Sequence, residues 1–278
     1  MLKPSRLSLA RSSRGSTRLQ AVLESLVGML LEGKMQAGLI HGAWGESSLL
    51  LGFYMPAPDR PGVPLRRRVT GGPSVVMEPD TPYTGIVFAA ESLEETAILG
   101  ESVARCLGAD VWGATRFGPS KLGVGVIEII GGRPGREAAV RCFEESISSR
   151  VETVEIGEPP GAARIERAYR HPGWAGYKGA ALMPLRGERS SGAYTVRVGI
   201  ALSEGRFIAD ARIDGTFMAA PPNEPFNTLS NVRGMPLGDQ ALLSLEVRLE
   251  RIEWYGVAWR TVLDAFLEAA GKAGVNMG

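Results

Sequence analysis

Only two cysteines, Cys106 and Cys142, and two histidines, His41 and His171, occur in the 278 residues. With no Cys-x-x-Cys pair, neither a disulfide framework nor a Cys/His zinc site is indicated, and the two cysteines read as ordinary reduced thiols. Long apolar runs are missing as well. No stretch reaches the ~18 apolar residues of a membrane span, and the N-terminus lacks the apolar segment of a secretion signal, which reads as a cytoplasmic protein without a membrane partner. Nor is there an excess of charge, since 31 Lys and Arg face 30 Asp and Glu for a net +1. Coating nucleic acid needs a clear cationic surplus on one face, so any anion binding here has to be local. A Gly-x-Ser-x-Gly nucleophile motif is absent, and Gly131-Gly132-Arg133-Pro134-Gly135-Arg136 lacks the Lys-Ser/Thr ending of a phosphate loop.

What is present has globular proportions, with 44% hydrophobic and 22% charged residues. The basic, Ser-rich residues 1–18 read as a flexible end. From Leu19 to Leu31 apolar residues recur at helical spacing. Strands follow at Ala37–Ala43, Ser48–Tyr54 and Val63–Arg68, and Ser74–Met77 with Thr84–Ala89 reads as a hairpin around a turn-rich loop. Ser92–Leu107 is an amphipathic helix with Leu93, Ala97, Ile98, Val103 and Leu107 inward. Val111–Thr115 and Leu122–Ile130 are strands, and Arg136–Ile147 a helix. The Pro- and Gly-rich stretch 158–192 marks a boundary. Beyond it, Tyr194–Leu202 and Phe207–Ile213 alternate as a two-stranded unit, followed by helices at Pro225–Val232, Asp239–Arg251 and Val257–Ala270. The class is α+β, or mixed α/β, with a larger domain at 19–170 and a smaller one at 171–278.

Two segments carry candidate chemistry. Arg66-Arg67-Arg68 runs into Thr70-Gly71-Gly72, where paired glycines would let backbone amides approach a ligand and arginine would supply planar donors for phosphate or carboxylate. A basic edge strand that resists aggregation has the same appearance. Lys121, in Gly118-Pro119-Ser120-Lys121-Leu122-Gly123, is a compact positive charge at the mouth of a very apolar strand, a position that lysines also take for solubility.

Taken in order, Leu50-Leu51-Gly52-Phe53, Arg67-Arg68-Val69-Thr70-Gly71-Gly72, Tyr83-Thr84 and Lys121 with Gly123 resemble the lipoate-protein ligase branch of the biotin and lipoate protein-ligase family. Downstream, Tyr194–Val198, Gly205–Asp210 and Ile213-Asp214-Gly215-Thr216-Phe217-Met218 resemble that family's accessory domain, so the resemblance spans roughly 19–270. Four positions depart from it. Pro73 stands for a third glycine, Met77-Glu78 for His-Asp, Gly113-Ala114-Thr115-Arg116 for Gly-Arg-x-Asp, and Gly215-Thr216-Phe217-Met218 for Gly-Asp-Phe-Phe.

The resemblance implies a class II-synthetase-like mixed sheet flanked by helices, with a small α+β accessory domain. It implies ATP-dependent conversion of lipoate to lipoyl-AMP and transfer to a lysine of a lipoyl domain, as in 2-oxoacid dehydrogenase E2 or the glycine cleavage H protein. Mg²⁺ would bridge the phosphate oxygens, with no protein metal site assigned. Lys121 would be the catalytic cation. Arg67, Arg68, Thr70, Gly71, Gly72, Ser74, Val75, Tyr83 and Gly123 would line the adenylate pocket, with Leu51, Val75 and Val126 around the acyl tail. Alternatives are a non-catalytic relative that binds a lipoyl domain or small carboxylate, a biotin ligase, and an octanoyltransferase, which would need Cys106 or Cys142.

Overall fold

The structure, a computed structural model, describes residues 3–10, 15–118, 123–133, 135–170 and 175–274. The first departure from expectation lies at the N-terminus. Instead of a flexible end, Arg6–Ala10 forms β1, an interior strand held between parallel neighbours. Helix α1 (Ser16–Leu31) then begins within the segment assigned to the tail.

Strands β2 (Ala37–Ala43), β6 (Pro82–Ala90), β7 (Val111–Phe117), β8 (Gly123–Ile130) and β9 (Glu152–Ile156) complete a six-stranded sheet of order β7-β8-β6-β2-β1-β9. The sheet is mixed, because β1 runs parallel to β2 and β9 while β2, β6, β8 and β7 pair antiparallel in turn. A second sheet, β4-β3-β5, contains β3 (Ser48–Leu51), β4 (Leu65–Arg67) and β5 (Val75–Met77). The expected hairpin between β5 and β6 therefore does not form: β5 pairs with β3, and the turn between them hands the chain to the larger sheet.

Helices α2 (Leu93–Leu107) and α3 (Arg136–Ile147) cover one face of the large sheet, while α1 and α4 (Ala162–Tyr169) cover the other. α2 starts where Ser92 Oγ accepts from Glu95 N at 3.1 Å and stops at left-handed Gly108, an N-cap and C-terminal glycine pairing that its sequence encodes. Its Ile98, expected inward, is exposed. The two cysteines, expected as thiols, are joined in a disulfide from α2 to α3 with a Cα–Cα distance of 5.6 Å. Thirty-six residues separate them in sequence, so only the packing of the two helices brings them together.

The C-terminal region carries three antiparallel strands rather than two: β10 (Leu185–Ser191), β11 (Tyr194–Ser203) and β12 (Phe207–Gly215). A small pair, β13 (Met218–Ala220) and β14 (Glu253–Tyr255), and helices α5 (Glu224–Ser230), α6 (Asp239–Leu249) and α7 (Trp259–Gly271) surround them. Its core reaches back into the N-terminal region. Tyr54 stacks on Phe217 with ring centroids 4.4 Å apart and donates to Pro222 O at 2.8 Å.

Candidate active site

The three consecutive arginines have three different fates. Arg66 is partly exposed and donates from Nε to Glu46 Oε1 at 2.8 Å. Arg67 is buried, and its Nη1 donates to the carbonyls of Gly52, Phe53 and Met55 at 2.9, 2.8 and 2.6 Å, while Nη2 reaches Ala175 O at 3.2 Å. Burial lowers its pKa to about 10, but the carbonyls give the cation its solvation. Arg67 therefore ties the loop after β3 to the C-terminal region.

Arg68 differs. It is fully buried and donates from Nη2 to Pro73 O at 2.8 Å, yet its Nε and Nη1 have no hydrogen-bond partner. Burial lowers its pKa, and the negative charge of Glu128, with a contribution from Tyr83, opposes that shift. A buried guanidinium with two donors unmet by protein is costly unless an acceptor fills the place, so its edge is suited to an anion.

Glu128, which sequence reasoning missed, organises the surroundings. It is a lone carboxylate in a strand buried from end to end. It accepts from Thr70 N at 3.0 Å, Thr70 Oγ1 at 2.7 Å and Tyr83 OH at 2.6 Å. Burial, followed by the Glu128 charge, pushes the Tyr83 phenol well above its ordinary pKa, so it stays a donor. Ser74 Oγ is likewise buried and unpartnered. On α1, Ser16 Oγ and Gln20 Oε1, one turn apart on the same face, also lack partners, and Gln20 Nε2 donates to Arg67 O at 3.1 Å. The signal that could have found Glu128 was a single acid within an otherwise apolar eight-residue strand.

The glycines serve backbone-on-backbone packing rather than an open approach for ligand. Gly71 N donates to Ala114 O at 3.4 Å and Gly72 N to Phe217 O at 3.3 Å. A Cβ at Gly71 would strike Phe217 and Met218, one at Gly52 would strike Gly72, and one at Gly113 would strike Gly71 and Thr70. Gly72 also needs its freedom at φ 99°. Gly123, placed on sequence grounds in the pocket, makes room for the Arg116 guanidinium, which a Cβ there would meet at 2.6 Å. Arg116 in turn donates to Ala90 O at 3.1 Å and pairs with Glu253 at 2.8 Å.

Thus Arg68, Thr70 and Tyr83 gather with Glu128 around one buried centre, Ser74 follows Pro73 with its hydroxyl buried and unpartnered, Arg67 and Gly123 have structural partners of their own, and Lys121 lies outside the described residues. Of the acyl-tail candidates, Val75 and Val126 pack in one cluster under α1, and Leu50, not Leu51, joins them. Among the described residues no group of three or more His, Cys, Asp or Glu side chains could hold a metal, and no helix is long and apolar enough to cross a membrane.

LipL1 of P. falciparum, solved in complex with lipoate, superimposes with a TM-score of 0.62 at 10% identity, covering 97% of this chain and 100% of that one. The fold is that of a lipoate-protein ligase. Lipoate-protein ligase A bound with ATP aligns at TM-score 0.42 and 16% identity, covering 62% of this chain and 98% of that one. A bipartite lipoate protein ligase from Thermoplasma acidophilum, described with its E2 lipoyl domain, aligns at 0.42 and 15%, covering 62% and 96%. These two superpositions are too loose to argue from. No family model and no curated protein matches the sequence. The ligase fold thus rests on the full-length superposition, and it agrees with the class II-synthetase-like mixed sheet expected from the sequence.

Proposed function

We propose that this chain is an ATP-dependent lipoate-protein ligase. In this reading a lipoate carboxylate oxygen attacks the α-phosphorus of ATP and pyrophosphate leaves; a lysine amine of a lipoyl domain then attacks the acyl carbonyl, and AMP leaves. Lipoyl domains of the E2 type are the proposed acceptors, with the H protein a second candidate. The observation that carries the proposal is Arg68, a fully buried guanidinium with two unpartnered donors in a ligase fold. Carboxylate and triphosphate repel one another, and a preorganised cation that meets the charge as it develops lowers that barrier. Glu128 keeps Thr70 and Tyr83 fixed beside Arg68, so no side chain need reorganise during the step. Lys121 is proposed as the second cation, and Mg²⁺ would offset triphosphate charge. Phe217 and Met218, which cover the Gly71-Gly72 turn, would help keep water out.

The test is pyrophosphate release from lipoate and Mg·ATP. Wild type should turn over, while Lys121→Ala should lose all measurable release; robust turnover in that variant removes Lys121 from the mechanism. The octanoyltransferase reading is disfavoured, because the disulfide consumes both cysteines on the sheet face away from Arg68. A non-catalytic binder of a lipoyl domain or small carboxylate has one observation in its favour: both turn amides already have protein acceptors. Calorimetry separates the readings, since only a ligase should bind a lipoyl-adenylate analogue far more tightly than free lipoate.

A further inference from the structure

A cleft of about 250 Å³ opens between the two regions, and its lining includes none of Arg68, Thr70, Tyr83 or Glu128. Its walls come from the loop after β3, from β12 and from α5. On the apolar side, Phe226 packs against Phe53 at 5.8 Å and edge-on against Tyr177 at 5.0 Å between ring centroids. Tyr177 spends its hydroxyl on Ile213 O at 2.6 Å, so it adds ring surface rather than a free polar group. On the polar side the charged residues are Arg67, Arg212, Arg233 and Asp210, three cations to one anion.

The single acid is already committed. Asp210 accepts from Arg212 Nε at 2.9 Å and from Arg233 Nε at 3.0 Å. Burial works to raise its pKa, but Arg233 and Arg212 outweigh this and hold it below the usual carboxylate value, so it remains an anion. Arg212 gives Asp210 only its Nε, and among the described residues no acceptor engages its two terminal amino groups. The cleft therefore combines a fixed cluster of rings with a cationic fork that has donors to spare. Rings take flat apolar groups by stacking or edge contact, and a guanidinium fork takes a carboxylate. The volume falls below the ~300 Å³ at the lower end of pockets for drug-sized ligands, which limits the occupant to a small molecule.

We propose that this cleft is a second ligand site, selective for a small monocarboxylate carried on an aromatic body. It is separate from the adenylate centre, and its occupation does not depend on ligase activity. The probe is 3-phenylpropionate, titrated calorimetrically beside its neutral amide, 3-phenylpropionamide. The acid should bind at least tenfold more tightly than the amide, and Arg212→Gln should remove that preference. Ser230 is exposed on the cleft rim, so Ser230→Trp should plug the cleft without unfolding the protein, abolishing binding while the circular dichroism spectrum and lipoate-dependent pyrophosphate release stay as in wild type. Equal affinity for acid and amide would overturn the proposal. So would wild-type binding in both variants, which would locate the probe elsewhere, or no binding to wild type at millimolar concentration.

Discussion

The two faces of the large sheet are built on opposite principles, and β8 belongs to both. Toward α2 and α3 it presents Ile127 and Ile129, which join Leu99, Val103, Phe143 and Ile147 in an apolar cluster crossed by the Cys106–Cys142 disulfide. Toward α1 and α4 it presents Val124 and Val126 and then Glu128, where the buried polar network of Thr70, Tyr83 and Arg68 begins. Tyr169 of α4 extends that polarity to Glu24 of α1. One face is cement. The other buries donors and acceptors that an economical core would leave out, and such local violations concentrate where function is held.

The strongest way to test that division is to cut the cement. Cross-linking residues 36 apart removes unfolded-chain entropy worth about 4 kcal/mol in the loop-closure model. Paired Cys106→Ser and Cys142→Ser substitutions should therefore lower the urea-derived unfolding free energy by about that amount. Pyrophosphate release at a temperature where both forms are folded should not change. A variant that folds fully but loses activity would show that the two faces are coupled through the sheet.

Arg67 and Arg68 sharpen the contrast within the polar side. Arg67→Met removes the side-chain donor to the carbonyls of Gly52, Phe53, Met55 and Ala175, of which Gly52 O still accepts from Met55 N, and the lost charge-assisted hydrogen bonds should cost on the order of 3 kcal/mol of stability. Arg68→Met removes one hydrogen bond, to Pro73 O, together with a desolvated charge. Glu128 keeps its three hydrogen bonds from Thr70 and Tyr83 in that variant, so the stability loss should be smaller than that of Arg67→Met. Activity should fall by about 10² to 10³, as when one preorganised donor is removed from a charged transition state. Equal stability losses in the two variants would make Arg68 a structural residue like its neighbour.

These contrasts also mark where the sequence was readable. Helical periodicity located α1 and α2, and apolar alternation located β11 and β12, because each of these buries a face through local pattern alone. β1 escaped because Arg6-Leu7-Ser8-Leu9-Ala10 is short and sits in a basic, Ser-rich setting; only its neighbours β2 and β9 make it interior. β5 was paired with the wrong partner because its association with β3 is a tertiary choice that turn residues do not encode. Gly71 and Gly72 were read as letting backbone amides approach a ligand, whereas what approaches Gly71 is the chain's own backbone at Phe217 and Met218. The same applies to the cysteines, whose separation of 36 residues says nothing of helices that meet in space.

The apolar face has one imidazole at its margin, and it provides the smallest test. His41 Nε2 accepts from Gly135 N at 3.0 Å, which assigns the proton to Nδ1, placed 2.9 Å from Thr84 Oγ1. Burial, reinforced by the nearby positive charge of Arg136, lowers its pKa from the ordinary 6.5. Protonation would turn Nε2 into a donor facing another donor. As pH falls below 6.5, the unfolded chain takes up a proton at this position before the folded one does, so this contribution to stability is complete above that pH. It is lost progressively as pH drops from 6.5 toward the depressed folded value, and it changes no further below that. Urea unfolding at pH 7.5 and pH 5.0 should show wild type losing more stability than His41→Gln, in which an uncharged amide can still accept from Gly135 and donate to Thr84. His171 is common to both proteins and cancels in the difference, so identical pH slopes would mean that the imidazole pays no more for its proton inside the fold than outside it.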